Sequence, residues 1–173
     1  MTAAWRETQL RWLAESFPEK EPRERCNSTM SDERSGYDGV VQEVRAVFDP
    51  LAQRLGLGRP DVVRRNTEFS LRYFGEDLSL SVRVELMDFF IVPMVFCGDV
   101  EPIDLDDSRG CRKMHVHTAL EKLGVCDGGE RQQRAQRLGG DYRNCTEMAK
   151  VLAELVEYGW GVLRVRAGEL LVV

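Results

Sequence analysis

His115 and His117 are the only histidines in the chain, and they follow Cys111 and a run of carboxylates, Asp99, Glu101, Asp104, Asp106 and Asp107. Imidazoles and carboxylates are ligands of transition metals and the usual general acids and bases. A His-x-His pair followed by Glu121 is therefore the first place to look for a metal or for proton transfer. Cys111 beside His115 has two ingredients of an activated thiol, because a neighbouring imidazolium lowers a thiol pKa, but no recognisable third group accompanies them. Asp104, Asp106 and Asp107 begin like a calcium loop. An EF-hand needs glycine at its sixth position and glutamate at its twelfth, and this chain has Arg109 and His115 there.

The string formed by Gly110, His115, His117, Glu121 and Gly124 resembles the metal-binding motif of the cupins, in which two histidines and a glutamate on strands hold a transition metal. The resemblance implies a metal on His115, His117 and Glu121. The chain departs from the pattern in three respects. The gap to the last glycine is shorter, no further histidine supplies the remaining ligand, and Thr118-Ala119-Leu120-Glu121-Lys122-Leu123 favours helix over strand. On a helix, residues two apart point in different directions and would not share an ion. The residues themselves therefore predict ordinary, partly buried or capping histidines and no cofactor. Arg131, Arg134 and Arg137 share helical spacing but are flanked by Glu130 and Asp141 with no interleaved aromatic, as expected of a solvated face.

With 173 residues, 43% hydrophobic and 31% charged, the chain has the size and composition of one globular domain. A net charge of −5 argues against nucleic-acid binding by bulk charge and favours a basic partner. The longest apolar run, Phe89 to Cys97, falls far short of the roughly 20 residues a membrane-spanning helix needs, and no membrane association is expected. Five cysteines without a C-x-x-C spacing and a charged first stretch lacking an apolar signal core predict reduced thiols and a cytoplasmic location.

Several elements would have to position these residues. Residues 1–36 read as an N-terminal arm and linker, because Pro18 and the charged stretch after it break a short Trp-containing helix; 37–173 reads as the domain. Val40, Val44, Val47, Phe48, Leu51 and Leu55 predict a helix over 38–55, capped by Asp38 and kinked at Pro50. Phe69, Leu71 and Tyr73, then Leu78, Leu80, Val82, Val84 and Leu86 alternating with Ser79, Ser81, Arg83 and Glu85, predict an antiparallel hairpin with one buried and one wet face. Phe89 to Cys97 is apolar on both faces, and Pro93 places it at an edge or a bulge. Helices are predicted over 114–124 and 145–158, the latter stopped by Gly159, and a closing hairpin over 162–173. The expected fold class is α+β: a three-stranded meander over 68–97 plus that hairpin, with helices mainly on one face.

These features point to a non-enzymatic domain that binds another, basic protein through Asp99, Glu101, Asp104, Asp106 and Asp107. Size and charge suit an immunity-type inhibitor that neutralises a basic partner. Two rivals are a small hydrolase-like or metal-dependent enzyme using His115, His117 and nearby aspartates, and a homodimeric accessory protein paired through Phe89 to Cys97.

Overall fold

A computed structural model describes residues 29–102, 112–125 and 128–171. The chain divides into two compact units, 1–34 and 35–173. Of the first, only residues 29–34 are described, and they are helical. Apart from the start of the first helix, everything below concerns the second.

Helix α1 spans Thr29–Arg54, beginning well before the predicted start at Asp38. Asp38 is no cap; its carboxylate accepts from Arg64 at 2.8 Å. Val41, Val44, Phe48 and Leu51 recur at three- and four-residue spacing and are buried, which accounts for the helix from its packing. Pro50 lies inside the helix, which runs on as one element and does not split into two pieces. The carbonyl its missing N–H abandons belongs to Ala46, and both residues are exposed, so water can satisfy that group. Gly56, at φ 76°, ends the element: Leu57 N–H returns to Ala52 O at 2.9 Å and closes the turn that only a left-handed residue permits.

Five antiparallel strands follow in sequence order: β1 (Asp61–Arg65), β2 (Glu68–Tyr73), β3 (Ser79–Glu85), β4 (Phe90–Phe96) and β5 (Lys113–His115). The predicted hairpin is β2–β3, with Leu71 opposite Val82. β1 and β5 were not expected. β1 is an edge strand whose residues are mostly exposed, so no apolar alternation marks it. Its ladder partner creates it, and Arg64 and Arg65 keep that edge charged. One face carries Phe69, Leu71, Tyr73, Leu80, Val82, Val84, Ile91, Val95 and Met114, which join α1 and the C-terminal helices in a single core. The opposite face, expected to be wet, holds Ser79, Ser81, Met94 and Phe96, all essentially inaccessible, with Glu68 and Lys113 nearly so.

The described C-terminal part is mainly helical: α2 (Val116–Lys122), α3 (Gly128–Arg137), a 3-10 turn at Tyr142–Asn144, α4 (Cys145–Arg166) and a 3-10 turn at Ala167–Glu169. Within the described residues the predicted hairpin over 162–173 is therefore corrected: α4 continues to Arg166 and the 3-10 turn follows it. Val156, Trp160, Leu163 and Ala167 extend the apolar stripe of Leu152 and Leu155 at helical spacing, and all are buried. Gly159 does not stop the helix; it lets Leu120 of α2 approach the backbone of α4. The class is α+β, a five-stranded antiparallel sheet with helices. No described helix is long and apolar enough to cross a membrane.

Candidate functional site

β5 is three residues long and pairs only with Met94, Val95 and Phe96, so among the described residues no strand covers the outer edge of β4 from Phe90 to Pro93. Pro93 fits here for a chemical reason. It sits opposite Val82 but has no N–H to donate; a proline is tolerated where its nitrogen faces an open edge. On an antiparallel strand alternate residues direct both backbone groups to the same side, so Ile91 then presents its N–H and C=O along that edge as well.

A groove of ≈ 430 Å³ lies against this stretch, lined by Phe90, Ile91 and Val92 of β4, by Gln132, Ala135 and Gln136 of α3, and by Met148 of α4. α3 is polar almost throughout, and only Gln132 and Ala135, one turn apart, are buried. It is held over α4 by charge: Arg131 pairs with Glu154 at 3.4 Å and lies 5.2 Å from the Tyr158 ring, and Arg134 pairs with Glu147 at 3.7 Å. The predicted solvated arginine face is in part a set of helix–helix contacts. Gln132 is 7% exposed, yet its Oε1 has no partner. A buried amide oxygen without a donor is costly, and such an atom in a groove marks a place where a donor is wanted.

The entrance to β4 is strained. Phe89 adopts φ 45°, a left-handed conformation that an aromatic residue enters at a cost of roughly 1–3 kcal/mol. Its buried ring and a bond from Gly140 N–H to Phe89 O at 3.1 Å hold it there. The next ring, Phe90, remains 40% exposed. Gly139 makes room for it, because a Cβ there would lie 2.8 Å from the ring.

The residues singled out from sequence fall elsewhere. His115 ends β5 and opens α2, and His117 lies in the first turn of that helix. The strand-to-helix junction stacks their rings at 5.4 Å, closer than two positions on one helix would allow. Glu121 is on α2 beside Gly129. No three His, Cys, Asp or Glu side chains among the described residues converge on a metal-sized site. Asp99 is exposed. Glu101 is not: its side chain is 5% exposed and lies between Arg72 Nε at 2.5 Å and Lys113 Nζ at 3.3 Å. Asp104, Asp106, Asp107 and Cys111 lie outside the described residues.

Two thiols are described, both free, Cys97 and Cys145. Cys145 begins α4, where a helix N-terminus would lower its pKa. Burial overrides this and, with the Glu43 carboxylate nearby, pushes the thiol up to about 12. At pH 8 Cys145 is expected to resist a disulfide-exchange reagent in the native protein and to react only on unfolding. Labelling at the rate of a free thiol in native buffer would contradict its burial.

The class of protein defined so far is an α+β domain with a strand-edge groove. No family model matches the chain, and neither curated proteins nor solved structures provide a match to it.

Proposed function

We propose that this domain is a binding module for another protein, and that it takes an extended apolar segment of its partner along the start of β4. The observation that supports this reading is the coincidence of a strand edge left unpaired among the described residues with an apolar groove holding an unpartnered buried amide oxygen. Strand addition supplies main-chain hydrogen bonds at Ile91, while alternate side chains of the incoming segment point toward the groove and away from it. Gln132 Oε1 accepts from an incoming N–H. The net charge of −5 favours a basic partner, as an immunity-type inhibitor would need, with Asp99, Asp104, Asp106 and Asp107 steering its approach.

Selection from a displayed library of extended peptides tests the proposal. Enriched sequences are expected to alternate apolar residues and to carry Lys or Arg. Phe90→Asp should weaken them by about 2 kcal/mol, ~30-fold, as loss of a central aromatic contact does. Failure to enrich anything, or binding indifferent to Phe90→Asp, would sink the reading. The competing occupant is a second copy joined edge to edge. A dimer by light scattering that Phe90→Asp dissolves would assign the edge to self-association instead.

A further inference from the structure

On the sheet face opposite the core, four cations and two carboxylates meet at one small cavity. Arg65, Glu68, Ser70, Arg72, Arg83, Glu101 and Lys113 line it with Met94 and Pro102. Each carboxylate spans two cations. Glu101 lies between Arg72 and Lys113, and Glu68 between Arg83 and Arg65, the latter at 3.4 Å. The described charges therefore leave a surplus of two positives, four minus two, inside a protein whose net charge is −5.

Half of that surplus is at the exposed rim, where Arg65 and Arg83 are 59% and 45% exposed, and water screens them. The other half is not. Arg72 and Lys113, at 22% and 8%, share the single carboxylate of Glu101, and an unmatched cation so far from water is costly. Arg72 approaches that carboxylate with Nε, as a close ion pair without an aligned hydrogen bond, and its two terminal nitrogens remain to make the forked contact that a guanidinium offers an oxyanion. Ser81, directly opposite Arg72 in the ladder, is fully buried and its hydroxyl has no partner. The cavity measures ≈ 40 Å³, whereas about 10–15 Å³ suffices for one water, so it has room for a group of several atoms.

We propose that this cavity binds a phosphate-type oxyanion, beside Glu101 and in reach of Arg72 and Lys113, with Arg83 at its rim. The chemistry is that of a free phosphate or of a phosphate monoester on a larger ligand.

Thermal unfolding and titration calorimetry of the full chain, with inorganic phosphate, phenyl phosphate and sodium chloride at matched ionic strength, provide the test. Both phosphates, or one, are expected to raise the melting temperature and to bind, while chloride does neither. Response to the ester identifies a group carried on a larger ligand, and response to inorganic phosphate alone identifies the free ion. Lys113→Gln removes the buried half of the surplus while leaving Arg72 paired with Glu101, so it should fold and bind phosphate about tenfold or more weakly. Arg83→Gln, at the exposed rim, should weaken binding while leaving the fold intact, and it serves if Lys113→Gln proves insoluble. The proposal is overturned by an equal response to chloride, or by phosphate binding that both variants retain in full.

Discussion

Glu101→Gln is expected to destabilise the domain by about 3–5 kcal/mol, because it leaves one buried and one largely buried cation without a counter-charge. That is a large share of the roughly 5–15 kcal/mol by which a domain of this size is stable. The reason lies in the asymmetry between making and breaking such a pair. Taking Arg72 and Lys113 out of water is costly, and Glu101 offsets much of that cost at 2.5 Å and 3.3 Å; an amide offers them only a dipole. Arg64→Gln provides the internal comparison. Its partner is Asp38 at 2.8 Å, a shorter contact than that between Lys113 and Glu101, yet both side chains are more than half exposed. That exposed pair should contribute no more than about 1 kcal/mol, and less in high salt. Urea unfolding of both variants, at low and high salt, checks the ordering. If Glu101→Gln costs no more than Arg64→Gln, then burial does not strengthen these pairs. The variant also bears on the anion site: with Glu101 neutralised the surplus charge grows, so phosphate should recover part of the lost stability.

Glu101 shows how sequence reading can find a residue and mistake its setting. It stands among acids that suggest a surface loop, and nothing local distinguishes it from Asp99. Its environment is set by Arg72, a distant residue on β2, and by Lys113, twelve residues along on a strand too short to show any period. The alternation of Ser79, Ser81 and Arg83 with Leu80, Val82 and Val84 correctly separates two faces. It cannot say what covers each, and Ser79 and Ser81 turn out to be buried. The β2–β3 hairpin was legible because each strand carries enough alternating residues to establish its own period. β1 and β5 were not, since ladder partners define them. The groove gave the weakest signal. Gln132 and Ala135 are two buried positions in an otherwise polar helix, and one i, i+3 pair does not stand out from chance. Pro93 was the one usable clue, because the missing N–H at an apolar strand implies an open edge there.

Gly159 and Gly161 both lie inside α4, and substitution at the two is expected to act with opposite sign. At Gly161 nothing lies within 4 Å of an added Cβ, and the residue is exposed in a helix interior. Gly161→Ala should therefore stabilise by up to about 1 kcal/mol, through helix propensity and a less free unfolded chain. At Gly159 a Cβ would stand 2.5 Å, 2.6 Å and 3.0 Å from Cδ2, Cδ1 and Cγ of Leu120. Leu120 is fully buried on α2, so its side chain has no open volume to swing into and the two helices must separate. Gly159→Val adds branching to that collision and should cost about 3 kcal/mol, at the upper end of overpacking, despite the better helix propensity. Reading Gly159 as a helix stop would predict damage independent of Leu120. The packing account predicts coupling: in a Leu120→Ala background the valine fills the space the leucine vacated, and the double variant should be more stable than the sum of the single losses by about 1–2 kcal/mol. A double-mutant cycle by chemical unfolding decides between them, since additive losses would mean that the close approach of α2 to α4 at Gly159 is not what the glycine is for.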